Sequence, residues 1–218
     1  MITSKNKSTA NNAKTFDNRH NHRMPVKRRF LVSGSVIAPV RRKILLSAFM
    51  HTESSYPFFL KDFRATVMDA TGRLREISSA ASRQKSSPDD WSPIEILGHL
   101  IDSAANNHQR FVRAQFTEDL VFPGYEQEEW VSSQKYADES STDLIQLWSS
   151  YNLHIHHLAS VIPETIRTKP RATHNLDEIA FNLVDKSEAT TLEYFIRDYV
   201  DHLRHHLDQI FTGASQWN

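Results

Sequence analysis

Apolar residues recur at helical intervals in four separate stretches between residues 56 and 213. In the first, Leu60, Phe63, Val67, Ala70, Leu74 and Ile77 follow at steps of 3-4-3-4-3, a heptad seam that predicts one helix. The second opens at Ser92-Pro93-Ile94-Glu95, where serine at N-cap, proline at N1 and glutamate at N3 form a capping box. Its seam is Ile94, Leu97, Ile101, Ala104, His108 and Phe111. A third helix is predicted from a cap near Ser141 through Leu144, Trp148, Tyr151, Ile155, Leu158 and Ile162, ending before Pro163. The fourth begins at a second capping box, Thr190-x-x-Glu193, and should stop with Gly213 at C′.

Four heptad seams favour crossing angles near +20°, so the expected fold is all-α, a four-helix bundle. The connections from helix two to three and from three to four each exceed about 20 residues, longer than bundle loops usually run, and could wall a pocket at one end. Within the later one, Ile179 to Val184 suggests a short extra element of undefined kind. Five glycines and eight prolines leave little punctuation for an all-β fold. No apolar run reaches the 18 residues of a membrane span. Cysteine is absent, which excludes disulfides, thiolate metal sites and a cysteine nucleophile.

A zero net charge conceals a division. Residues 1–49 hold eleven of the 26 basic residues and one of the 26 acids (Asp17), a net +10 that leaves −10 for residues 50–218. That sets a boundary near Met50, with a basic extension over 1–50 and the bundle over 56–213. Residues 3–23 are too polar to offset chain entropy and are expected to be disordered. The more apolar stretch Phe30 to Phe49 is cut by Arg41-Arg42-Lys43, unlike a secretory signal. An organelle transit peptide, an arm for nucleic acid or anionic membrane, and a plain unfolded extension remain. The last is favoured, and includes a true start at Met24 or Met50, because no aromatic interleaving supports the others. The bundle itself is not expected to bind nucleic acid. The expected location is the cytoplasm.

Candidate chemistry gathers on helix four, Tyr199 to Ile210. On a helical wheel Arg197, Asp201, Arg204 and Asp208 share the outer face, whereas His202 and His206 lie beside Phe195 and Tyr199, toward the bundle. Their i, i+4 spacing stacks two imidazoles so that both can reach one ion. The bland alternative is a pair of hydrogen-bonded histidines at the edge of a core. Leu203 follows His202 where a zinc peptidase would carry glutamate, and no Glu-x-x-His occurs, which argues against a di-iron bundle. His205 points about 60° from His202 and should be solvated.

On helix two, His99 falls with Asp102, Ser103, Asn106 and Arg110 on a polar stripe away from the Leu97/Ile101/Ala104 arc. The stripe is either solvated surface, which periodicity alone favours, or the lining of an open pocket. His108, on the core seam, is expected to be a buried, satisfied histidine. His154, His156 and His157 are expected to face solvent, and His51 and His174 fall outside the helical patterns.

The segment Trp91 to Arg113 (W-S-P-I-E-I-L-G-H-L-I-D-S-A-A-N-N-H-Q-R-F-V-R) and the stretch Tyr199 to Ile210 resemble the two signature helices of the DinB-like superfamily of YfiT-type metal-dependent hydrolases. The resemblance covers most of residues 56–212, including the Trp148/Asn152 region and the loop Phe122-Pro123-Gly124-Tyr125. It implies a divalent ion, zinc or nickel, held by His99, His202 and His206. It also implies a hydrolase or thiol-dependent S-transferase acting on a small molecule, with a low-molecular-weight thiol as a partner in the latter case, and a homodimer. Residues 1–50 have no counterpart in the family.

Three neutral imidazoles would leave the ion its full +2 charge and an open position, where a water's pKa can fall to about 7 or a thiolate can bind. By spacing, Asp102, Asn106 and Gln209 could accept the imidazoles' other N–H groups. Asp102 could also act as general base, Arg110 could receive an anionic group, and Asn152 could reach the pocket. A non-catalytic metal-binding bundle is the competing function.

Overall fold

Hydrogen-bonded caps mark where three of the four long helices begin. The computed structural model describes residues 55–214, and the expectations for residues 1–50 and for His51 lie outside them. The four long helices are α1 (Tyr56–Glu76), α2 (Pro93–Arg113), α4 (Ser141–Val161) and α7 (Leu192–Ala214), with short helices α3 (Gln127–Gln134), α5 (Glu164–Arg167) and α6 (Leu176–Ile179) between them. At α2 the capping box forms as its sequence predicts: Glu95 Oε2 accepts from both the backbone N–H (2.8 Å) and the hydroxyl (2.7 Å) of Ser92. Two other caps shift by one residue. Ser140 rather than Ser141 receives the Asp143 N–H. Thr191 rather than Thr190 caps α7, its hydroxyl accepting from Tyr194 N–H at 3.0 Å. The reason lies in the backbone of Thr190, which exchanges two bonds with Arg171 (2.8 and 3.0 Å) and is thereby held outside the helix. Glu193, freed from capping, pairs with Arg167 and Arg197 instead. At the other end α7 runs through Gly213 to Ala214.

The core is built on the seams. Phe63, Ile94, Phe111, Leu144, Trp148, Ile155 and Phe195 are all buried below 2% exposure, and each large apolar side chain so buried contributes about 1.5–3 kcal/mol. His108 departs from its expected place: it is partly exposed, packed against Tyr151 and His154 at 5.7 and 5.1 Å. Around the bundle α4 packs on both α1 and α2, while α7 packs on α2 and more lightly on α1. The chain neighbours α1 and α2 are therefore diagonal, and α2 lies between α4 and α7. This ordering brings the α2 histidine beside those of α7.

Two long loops complete the structure. The loop after α2 and the loop before α7 clasp each other: Leu120 N–H donates to Thr173 O (3.0 Å), and the Asn175 side chain bonds both backbone groups of Phe122. His174 pins the second loop from inside, its Nδ1 accepting from Leu176 N–H (3.1 Å) and its Nε2 bonding Glu188 O (2.8 Å). The short element expected over Ile179 to Val184 lies earlier, as α6. Among the described residues no strand forms, and no helix is long and apolar enough to cross a membrane.

Candidate metal centre

His202 and His206 stand one turn apart on α7 with ring centroids 4.5 Å from each other. His99 reaches them from α2, its ring 5.2 Å from that of His202 and 4.8 Å from that of His206. The Nε2 atoms of His99 and His202 are 3.2 Å apart, and one ring nitrogen from each of the three residues lies within 4.8 Å of the others. Ligand bonds of about 2.0–2.1 Å at tetrahedral angles put neighbouring nitrogens about 3.3–3.4 Å apart, so the His99–His202 spacing suits a shared ion.

Second partners orient the rings. His206 Nδ1 lies 2.7 Å from Gln209 Oε1, which makes Nδ1 the donor and leaves the Nε2 lone pair free. His202 Nδ1 lies 3.4 Å from Ser103 Oγ, again leaving Nε2 for the centre. His99 Nδ1 is buried and has no hydrogen-bond partner among the described residues, while Trp91 lies against the ring at 5.1 Å. Three imidazole nitrogens converging on one point are the donor set a borderline divalent cation selects.

Electrostatics keeps these imidazoles neutral. Burial pushes His99 down to about 3, helped by the neighbouring His206. Burial also lowers His206 to about 4, against the hydrogen bond its Nδ1–H donates to Gln209, and takes His202 well below its ordinary range, with His206 and His99 adding to the effect.

The polar stripe of α2 is not solvated surface. His99, Asp102, Ser103 and Arg110 are all buried: the segment after α2 folds back over Asp102, Ser103 and Arg110, and Trp91, His202 and His206 pack against the His99 ring. A helical wheel cannot see that cover. Asp102 Oδ1 accepts from Tyr136 Oη and Gln134 Nε2, both at 2.7 Å, while its buried Oδ2 has no partner among the described residues. Burial raises the Asp102 pKa, opposed by these two hydrogen bonds. Tyr125 hydrogen-bonds Ser103, and burial followed by the nearby Asp102 charge raises its phenol. Arg110 is committed to the loop, donating to Pro123 O at 2.8 Å and to Asn107 Oδ1 at 3.5 Å.

Not every expected residue joins the cluster. Gln209 does. Asn106 donates to the Asp102 carbonyl of its own helix (2.9 Å) rather than to an imidazole. Asn152 is fully buried in the core, accepting from Tyr199 Oη at 2.6 Å and donating to Trp148 O at 2.9 Å. The site also contains residues that the sequence did not single out for it: Ser103 as partner of His202, Trp91 against His99, and Tyr125, Gln134 and Tyr136 from the covering loop. Ser103 was within reach of spacing arguments, one turn beyond His99 on the same stripe. The loop residues carried no periodic signal.

The sequence model of the DinB superfamily matches residues 62–210. A solved structure, YfiT from Bacillus subtilis, described as a probable metal-dependent hydrolase with an unusual four-helix bundle topology, matches with a TM-score of 0.59 at 15% identity, covering 77% of this chain and 91% of its own. At that identity the likeness speaks for the fold alone. No curated protein matches the chain.

Proposed function

The chain belongs to the DinB superfamily, and on that premise we propose that it is a metal-dependent enzyme, a hydrolase or a transferase of an exogenous thiol, acting on a small molecule. The observation that carries this reading is the convergence of three neutral imidazoles from two helices, with His99 and His202 Nε2 atoms 3.2 Å apart. His99, His202 and His206 would hold the ion, and zinc or nickel suits three imidazole donors. Such an ion supplies a Lewis acid that polarises the substrate and favours the deprotonated form of an incoming water or thiol.

The remaining work falls to the chain's own groups. Gln209 and Ser103 hold the Nδ1 sides of His206 and His202, fixing tautomer and ring orientation. Asp102 Oδ2, buried and without a donor, is the group we assign as general base; the raised pKa of the carboxyl strengthens its pull on a proton. Tyr136 and Gln134 clamp the other oxygen and so fix its aim. Arg110, tied to the loop, is assigned to anchoring rather than to an anionic substrate.

The test is turnover of a panel of esters, amides and thiol acceptors by metal-stripped and metal-reconstituted protein, beside Asp102→Asn. The reading expects activity only with metal, and a fall of about 10²–10⁴ in kcat for Asp102→Asn with metal retained. Turnover indifferent to chelation would overturn it.

A further inference from the structure

A carboxylate buried without a cationic partner costs several kcal/mol, so a fold that keeps one uses it. Asp198 on α7 is such a group: it is 5% exposed and lies one turn before His202. Among the described residues no ion pair holds it. Its two oxygens accept the consecutive backbone N–H groups of Phe181 (2.9 Å) and Asn182 (2.6 Å), and Tyr194 Oη adds a bond to Asn182 O at 2.8 Å. Ala180 and Val184 are buried on either side, so this stretch of the second loop is tied down at both ends.

The bonds hold an aromatic ring at the histidines. Phe181 lies edge-on to His202 at 5.6 Å and against His205 at 5.2 Å, yet 43% of it stays in water. Leu183, two residues on, is more exposed still. A loop selected only for stability would turn these side chains inward, as it does Val184, and would not require a buried carboxylate to hold them out. The ring borders the residue whose Nε2 faces the centre.

We propose that Phe181, held in place by Asp198, is a specificity-determining residue that selects small molecules carrying an aromatic or other flat apolar group beside their metal-binding atoms. The inference rests on the metal-dependent reading above and deepens it. Phe181 supplies an apolar wall of fixed position beside His202, and Asp198 is a positioning residue acting through it. Fixing the wall beforehand spares the ligand the entropy of ordering it.

The experiment measures binding of benzohydroxamate and acetohydroxamate to zinc-loaded protein by calorimetry, in the wild type and in Phe181→Ala. Phe181 is half-exposed, so its truncation leaves the core intact. The expected result is a preference for the aromatic ligand that falls by roughly three- to tenfold in Phe181→Ala, as loss of one aromatic contact implies, and is retained in Phe181→Tyr. An unchanged ratio in zinc-loaded Phe181→Ala overturns this inference alone. A wild type that takes up no ion overturns the metal-dependent reading and this inference with it. In Asp198→Asn, hydrogen exchange at the Phe181 or Asn182 amide should rise at least about tenfold, since an amide oxygen replaces only one of two acceptors; unaltered exchange removes Asp198 from the proposal.

Discussion

Tyr136 lies so close to the backbone of Gly98 that a Cβ placed there would come within 2.0 Å of its ring. Only glycine permits this approach, and the approach puts the Tyr136 hydroxyl on Asp102, one turn from Gly98. Alanine is the better helix former by about 1 kcal/mol, but overpacking against a ring pinned at its hydroxyl costs about 1–3 kcal/mol. Gly98→Ala should therefore lose stability in chemical denaturation, and the Asp102–Tyr136 bond with it. A variant as stable as the parent would show that the ring moves freely.

Acidification should weaken the metal-free fold. His99 is depressed to about 3, His206 to about 4 and His202 also downward, whereas the same groups in the unfolded chain titrate near 6.5. Below about 6.5 the unfolded state takes up protons that the folded state refuses, so stability is complete above that pH and falls as pH drops toward 4. Fully buried His99 contributes at most about 1.4 kcal/mol per pH unit, and the partly exposed pair less. Urea midpoints of metal-free protein between pH 7 and 4.5 measure this. His99→Phe should flatten the slope; a slope that persists unchanged points to other groups.

Tyr199 and Asn152 form a polar contact inside the core, 2.6 Å long. Tyr199→Phe strands the Asn152 oxygen in an apolar surround, which costs about 1–3 kcal/mol. Metal content should not change, because neither side chain bonds to the three imidazoles. Denaturation and elemental analysis of the same preparation separate the two effects, and loss of metal would assign the pair to the centre after all.

Gln209 and Ser103 touch the imidazoles from behind. Removing either acceptor frees a ring to rotate, and partners of this kind are worth about 10–100-fold in metal affinity. Gln209→Ala should fall at the lower end, since Gln209 is exposed to water that can replace it. Competition titration with a chromophoric chelator reads the change, and unaltered affinity in both variants would deny them an orienting role.

The four long helices were legible because each carries its own seam; Leu97, Ile101 and Ala104 need no knowledge of the rest of the chain to mark a buried face. Cap positions slipped at Ser141 and Thr190, where a neighbouring residue offers the same hydroxyl chemistry and tertiary bonds choose between them. The burial of His99 was not legible. It depends on Trp91, His202 and His206, which pack on its ring from outside α2, while Gln134 and Tyr136, from the segment between α2 and α4, cover its neighbour Asp102. Asn152 misled for the complementary reason: a polar side chain on an inward-facing helix suggests a pocket until the partner that satisfies it in the core, Tyr199 on another helix, is known. The pairing of α2 with α7 follows from the diagonal placement of α1 and α2, which no local spacing encodes.

The most direct test of the central claim is metal stoichiometry at equilibrium, by dialysis against buffered zinc or nickel followed by elemental analysis, for the wild type and His99→Ala. One ion per chain in the wild type, and at least a hundredfold weaker uptake in a folded His99→Ala, is the predicted result. Equal uptake by both proteins, or none by either, would contradict it.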